Sequence, residues 1–416
     1  MSASYPCIPY GWADFRAIRL ENRLYVDKTR FVHALEEERY VFLIRPCRFG
    51  KSCWVSLLEN YYDRTRADEF EAIFGGTDLG RQPTENRHRY VVLRFDFSAF
   101  DATLETLRER FETYCHSVVR RTLERNQDLF PEKKIQRILS RPSIDAKLNE
   151  LFLYTGDHGI PLYVIIDEYD NVANTVLAPR GEPSQSFTHG GDLYRNFFAM
   201  LKVGAGQSYG GIERLFITGV LPIAMDDVTS GFNISRNISL EPEFNDMLGF
   251  TEEEVRGLLE MYRDHGVFNQ DVEAALEVMR EWYNGYRFAI DAEDDLYSTD
   301  MVLYYLKASL PNQPIPDDLI APNMPSDYSR WLHLLTANRQ LNGNFDLFRH
   351  IIDEQVAESN IQTILPLERL DQLENFLSLL YYFGLLSIRG VSHGVPRLGI
   401  PNQTVKRLMH GYLGDA

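Results

Sequence analysis

Three short stretches hold the side chains whose types and spacing could do chemistry: IRPCRFGKSC at 44–53, IIDEYD at 165–170 and FITG at 216–219. In the first, Gly50, Lys51 and Ser52 follow one another just beyond an apolar run. A glycine there lets backbone N–H groups approach an anion closely, a lysine reaches the terminal phosphates of a polyphosphate, and the next hydroxyl can join a divalent cation's shell. In the second, two adjacent carboxylates, Asp167 and Glu168, close an apolar run. Open α/β sheets bind ligands at the carboxyl ends of such strands. Asp167 would then hold a cation through water, and Glu168 would orient and deprotonate an attacking water. The alternative is that the pair only ends a strand and caps the next helix. In the third, Thr218 interrupts an apolar run near its end. It is either a polar sensor of bound phosphate or a hydroxyl satisfied by a backbone carbonyl.

A phosphate-holding loop needs a strand feeding it, inward-facing N–H groups, and a following helix whose N-terminus faces the anion. YVFLIR from Tyr40 supplies the strand, residues 46–50 the loop, and a helix from Lys51 places Trp54, Val55, Leu57, Leu58, Tyr61 and Tyr62 on one face. The familiar G-x-x-x-x-G-K-[ST] pattern has its first glycine where this chain has Arg45. That glycine mainly permits the turn at the strand's end, so Arg45 is expected to reshape the loop's entrance more than its cradle. Arg45 and Arg48 either add positive charge beside a triphosphate or are solvated or structurally ion-paired arginines. The candidate binding set is thus Arg45, Pro46, Cys47, Arg48, Phe49, Gly50, Lys51, Ser52 and Cys53 for ATP, with Ser52 and Asp167 for Mg²⁺. Cys47 and Cys53 are oxidisable thiols or, more simply, small buried residues.

The elements that must position these groups read as an alternation. Short apolar runs begin at Tyr40, Tyr90, Leu162 and Arg214, with a weaker one, NISLEP, at Asn237, and helical patterns such as Ala102 to Arg125 and Ile144 to Tyr154 lie between them. Buried parallel strands covered by helices have this signature. The expected fold is α/β, a parallel sheet sandwiched by helices over residues 1–245. From Thr251 the texture turns helical, opening with Thr251 as N-cap and Glu254 as its capping-box partner. This gives a helical lid over 246–310. A proline-rich connector at 310–327 then leads into a helix ending near Gly384, a strand pair and a last helix, a winged-helix-like segment within 311–416.

Composition limits the alternatives. The 416 residues carry a net charge of −17, which argues against a surface that coats nucleic acid as a whole. Four scattered cysteines suggest neither a disulfide frame nor a zinc site. No apolar run approaches the roughly 20 residues of a membrane span, and the N-terminus lacks a signal-peptide pattern, so the expectation is a cytoplasmic protein without a membrane partner. Between Arg389 and Tyr412 the sign reverses locally, with Arg389, Arg397, Lys406 and Arg407 and no acid. That is a possible contact for DNA or for a docking protein.

Six motifs in order, YVDKTRFVHAL, LIRPCRFGKS, VIIDEYDN, FITGVLPI, MLGFTEEEV and WYNGYRF, resemble the predicted AAA-ATPase family, closely over about residues 6–310. In that family an arginine-containing loop before F-G-K-S is usual. The resemblance implies a P-loop ATPase related to the AAA and signal-transducing (STAND-like) classes. Such proteins are often followed by a PD-(D/E)XK nuclease in bacterial mobile-element or defence settings. This sequence shows no pattern for that domain, so the expectation is an ATPase that stands alone or is shortened. The function implied is ATP hydrolysis with Mg²⁺, switching the lid and C-terminal segment to regulate a nuclease or other effector. The alternative is a nucleotide-gated DNA- or protein-binding module with little or no turnover. The resemblance also suggests Arg287 as a lid sensor for the terminal phosphate, against a structural Arg stacked on Trp282 or Tyr286. It suggests residues 25–29 near the adenine, with Asp27 capping the next helix. Arg214 and Arg236 are candidate arginine fingers for an oligomer.

Overall fold

The apolar runs become strands because each is long enough to pair and has little polar surface to keep solvated. In the computed structural model, β1 (Tyr40–Ile44), β2 (Val91–Asp96), β3 (Leu162–Asp167), β4 (Ile212–Gly219) and the two-residue β5 (Arg236–Asn237) form one sheet in the order β2-β3-β4-β1-β5. The pairs β2–β3, β3–β4 and β1–β5 are parallel. The residues described are 5–98, 100, 105–172, 186–206, 210–222, 234–310, 319–322, 324, 351, 356–365 and 372–415. Most of the predicted connector at 310–327 falls outside them, as does the predicted helix start at Ala102.

β4 lies between β1 and β3 in the sheet, and β2, the strand that intervenes in sequence between Lys51 and Asp167, pairs with the far side of β3. β3, at the centre of the β2-β3-β4 group, is buried along its whole length. β5 is shorter than NISLEP suggests. Past Asn237 the ladder gives way to a side chain, since the Ile44 N–H donates to Ser239 Oγ at 2.8 Å.

The chain divides into two compact units, residues 1–28 with 44–53 and 238–416, and residues 29–43 with 54–237. The second holds most of the five-stranded sheet. Helix α1 (Lys51–Tyr62) begins in the first unit and continues into the second, where Val55, Leu57, Leu58, Tyr61 and Tyr62 are at most 1% exposed. Full burial of one such side chain is worth about 1.5–3 kcal/mol, so packing anchors this helix more than propensity does. Helices α2 (Leu107–Arg125) and α4 (Ser186–Gly206) pack on β2 and β4, and α3 (Ile144–Asp157) packs on both helices.

In the first unit, α5 (Glu252–Asp264) opens with the predicted capping box: Glu254 N–H donates to Thr251 Oγ1 at 3.2 Å, and Thr251 N–H to Glu254 Oε2 at 2.9 Å. Helices α6 (Val272–Tyr283) and α7 (Thr299–Ala308) follow. A second, antiparallel sheet has the order β6-β8-β7, from β6 (Val356–Glu358), β7 (Ser387–Ser392) and β8 (Val395–Gly399). Helix α8 (Leu373–Tyr382) precedes its hairpin and α9 (Gln403–Asp415) follows it. Asp27 does not cap the short helix Phe31–Leu35. Its N-cap is Arg30, which makes no side-chain capping bond.

Candidate nucleotide site

The glycine loop belongs to the first unit. β1 feeds it and α1 starts directly at Lys51. Two of its residues adopt left-handed backbone, Arg48 at φ +69° and Gly50 at φ +95°. At Gly50 a Cβ would meet nothing within 4 Å, so the backbone faces open space there and a ligand could approach closely. Lys51 is 5% exposed, and its Nζ donates to the Pro46 carbonyl at 3.2 Å, folding the ammonium back over the loop. No acidic residue occupies the first turn of α1, which leaves its positive dipole end uncompensated by its own side chains. Ser52 sits half-buried in that turn.

The loop's larger side chains face protein. Arg45 is 1% exposed and donates to three carbonyls, those of Ile44 (2.9 Å), Ser239 (2.7 Å) and Phe244 (2.7 Å), with its guanidinium 4.3 Å from the centre of the Phe288 ring. Burial lowers its pKa to about 10, still far above neutrality. It is therefore neither solvated nor salt-bridged nor aimed at a phosphate: it replaces a conformational glycine with a pin. Arg48 is ion-paired to Asp300. Phe49, 2% exposed, lies edge-on to Tyr286 and Phe288 at 4.9 and 5.2 Å. Any contribution of residues 45, 48 and 49 to an anion would thus come from backbone N–H groups. Pro46 packs against Gly384, where an added Cβ would lie 3.0 Å from the proline ring. Cys47 and Cys53 are half-buried rather than buried, and burial, with Asp14 adding to it, pushes the Cys53 thiol up to about 12. Cys53 stays protonated and poorly nucleophilic.

The carboxylates belong to the second unit. Asp167 ends β3 fully buried, in register with Asp96 of β2. Arg94 carries the balancing charge nearby. Burial works against its cation, yet Glu59, Asp96 and Asp167 hold its pKa above the ordinary arginine value. Glu168 turns into left-handed backbone at φ +52°, and its carbonyl accepts the Asn171 N–H at 3.0 Å. A left-handed non-glycine residue costs of order 1–3 kcal/mol and gathers at functional turns. Thr218 is 1% exposed, and its Oγ1 has no hydrogen-bond partner among the described residues. The carbonyl-satisfied alternative for this threonine does not hold.

Sequence reasoning passed over Asp170, the last acid of IIDEYD. It is 1% exposed, and its carboxylate accepts the N–H groups of Val220 and Leu221, just past the end of β4. Tyr169 adds a hydroxyl donated to the Leu221 carbonyl. The available signal was a third acid placed so that it falls on the first turn after the strand. Gly219 fits because a Cβ there would lie 2.3 Å from Asp170 Oδ1.

Arg287 is engaged locally: its N–H donates to Ser387 Oγ at 2.8 Å and its guanidinium pairs with Asp295 at 2.9 Å. It is Arg407 that stacks over Trp282, at 4.4 Å. Arg214, at the amino end of β4, donates to the carbonyls of Glu36 and Glu38 at 2.9 Å, and Arg236 pairs with Glu38 at 2.7 Å. Both candidate fingers are thus tied within their own unit. In the C-terminal segment, residues Asn375–Tyr382 of α8 are all buried. Arg389 reaches the Gly285 carbonyl and Arg397 lies opposite Glu358 in the ladder. The helix preceding the hairpin therefore has little face to offer a DNA groove.

Among the described residues no helix is long and apolar enough to cross a membrane. The predicted AAA-ATPase family matches residues 9–229. A curated relative, an uncharacterised protein in the vnfD 5′ region of Azotobacter chroococcum mcd 1, is 25% identical over 315 residues, covering 72% of this chain and 52% of that protein. The chain thus spans about half the length of that relative. Among solved structures, the Aeropyrum pernix ORC1 protein in complex with DNA aligns at 12% identity and TM-score 0.32 over 98% of this chain and 94% of that one. The Aeropyrum pernix ORC2 protein in its ADPNP–ADP complexes aligns at 11% identity and TM-score 0.37 over 93% of each. With the family match spanning more than half of the 416 residues and taking in the loop, both carboxylates and the β4 threonine, the chain belongs to the predicted AAA-ATPase family and has the P-loop NTPase α/β fold.

Proposed function

We propose that the chain binds ATP with Mg²⁺ and hydrolyses it, and that nucleotide state moves the 246–310 region and the C-terminal segment to regulate an effector such as a nuclease. The N–H groups at Gly50 and the first turn of α1 cradle phosphates, and Lys51 neutralises the terminal ones. Ser52 and Asp167 hold the cation. Magnesium, when bound, would supply charge neutralisation to the phosphates. The donor types suit such an ion, since Ser52 offers a hydroxyl oxygen and Asp167 a carboxylate, with the remaining ligands to come from nucleotide and water. Glu168 orients the attacking water and takes its proton, and Thr218 reads the terminal phosphate.

The observation that carries this reading is the Thr218 hydroxyl, buried at 1% exposure on the strand inserted between β1 and β3, with no partner among the described residues. A buried hydroxyl left unbonded costs about 1–3 kcal/mol, and a core strand has no use for it.

Phosphate release and nucleotide affinity test the proposal together. Lys51→Ala should abolish tight ATP binding. Glu168→Gln should keep binding and lower turnover by roughly 10²–10⁴-fold, the usual worth of a general base. If Lys51→Ala changes neither affinity nor turnover, the site is misassigned. If the native chain binds ATP without releasing phosphate, it is a nucleotide-gated binding module instead.

A further inference from the structure

The loop presents its carbonyls to helix α7. The Arg48 carbonyl accepts the Asp300 N–H at 3.2 Å, and the Phe49 carbonyl accepts the Thr299 hydroxyl at 3.2 Å. No peptide bond among the described residues is cis. In a trans peptide the C=O and the following N–H lie in one plane and point in opposite directions. With both carbonyls turned toward α7, the N–H groups of Phe49 and Gly50 face the other way, the geometry of a backbone anion nest. We propose that Thr299 and Asp300 are positioning residues that preset the glycine loop for a polyphosphate without touching it. The proposal rests on the reading of residues 45–52 as the nucleotide loop.

The clamp is double at Arg48. Asp300 takes its carbonyl through a backbone N–H and its guanidinium through the carboxylate, both side chains being mostly buried at 12% and 17% exposure. Arg48 needs such restraint, since left-handed backbone at φ +69° is disfavoured for a side chain of this size. Behind the clamp, Met301, Val302, Tyr305 and Leu306 are at most 3% exposed, so the first turn of α7 stands on a packed base. An acid there also suits the helix dipole. Phe49 then closes the arrangement by lodging against Tyr286 and Phe288. A nest held open in advance spares the ligand the ordering cost of shaping it. Phosphate affinity would accordingly depend on two residues some 250 positions away in sequence, acting through the loop's backbone.

The test uses the full chain and Mg-ATP. The double variant Thr299→Val with Asp300→Asn removes the hydroxyl and the charge while nearly keeping volume. Its affinity for ATP should fall by tenfold or more, and the rise in melting temperature that ATP produces should shrink accordingly. Without nucleotide, its melting temperature should fall as well, because the largely buried Arg48 loses its charge partner, so the deciding readout is the ATP affinity of the folded protein. A merely structural role would lower the nucleotide-free melting temperature and leave the affinity of the folded protein unchanged, and that result overturns the proposal. Should the double variant fail to fold, Thr299→Val alone must still weaken ATP about threefold, and undiminished affinity overturns the proposal equally. Asp300→Glu, which keeps the carboxylate, should recover part of the loss. If the native chain binds no ATP, the nucleotide reading fails first and takes this inference with it.

Discussion

The carboxylate of Asp170 accepts the backbone N–H of Leu221 at 3.0 Å, tying the turn after β3 to the turn after β4. The same carboxylate takes the Val220 N–H at 3.2 Å. Glu168 lies two residues before Asp170 and Thr218 two before Val220, so Asp170 fixes the relative position of the two groups assigned to chemistry.

Asp170→Asn should therefore act on stability and turnover together. An amide can accept one of these N–H groups but loses the charge, and a hydrogen bond to a buried carboxylate is worth about 1.5–3 kcal/mol. Urea unfolding should show a loss of about that size, and phosphate release should fall while ATP affinity changes little. A variant as stable and as active as the native chain would contradict this role.

Arg45→Gly, which restores the commoner glycine, should destabilise the protein rather than improve it. Removing the guanidinium relieves the cost of a buried cation but takes away its hydrogen bonds to the Ile44, Ser239 and Phe244 carbonyls, at about 1–3 kcal/mol for each buried carbonyl left unsatisfied, and opens a cavity the size of an arginine. The second effect wins, by about 3 kcal/mol or more. Arg45→Met fills much of the volume without donating, so comparing the two variants in denaturant separates packing from hydrogen bonding. An Arg45→Gly protein with unchanged stability and tighter ATP binding would sink this account.

These cases show why part of the molecule was legible in its sequence. Strands such as YVFLI and LYVIID and the Thr251–Glu254 box depend on neighbours a few residues away, and local pattern exposes them. The partners of Arg45 lie 194 and 199 positions off, and that of Arg48 lies 252 off. No local pattern distinguishes an arginine that binds phosphate from one that pins backbone carbonyls. Asp170 was missed for a related reason: what marks it is burial against Val220 and Leu221, not its spacing.

His88 should make stability depend on pH in a known direction. Its Nδ1–H donates to the Asp63 carbonyl at 3.1 Å, and its Nε2 is buried with no partner among the described residues. Burial, assisted by Arg87, lowers its pKa below the ordinary 6.5. The unfolded chain then takes up the proton first as pH falls, so stability is full above the unfolded value and declines once pH passes below it. Urea midpoints should drop between pH 7 and 5.5. The drop should be smaller in His88→Asn, which tolerates the left-handed backbone at φ +52°. A pH-independent midpoint, or an equal slope in the variant, would remove His88 as the cause.

Thr218→Val separates a working hydroxyl from a structural one. Valine is nearly isosteric, suits a central strand, and removes a polar atom that has no partner among the described residues. If the hydroxyl served the fold, its loss would destabilise. Because it is left unbonded in the core, the variant should be as stable as the native chain or more so by about 1 kcal/mol. Turnover should nevertheless fall tenfold or more, since the phosphate-reading group is gone, while Mg-ATP still protects the protein against heat. Stability and activity moving in opposite directions is the mark of a residue kept for chemistry. If the valine protein releases phosphate at the native rate, Thr218 is an unexplained core hydroxyl and the reading of the β4 end fails.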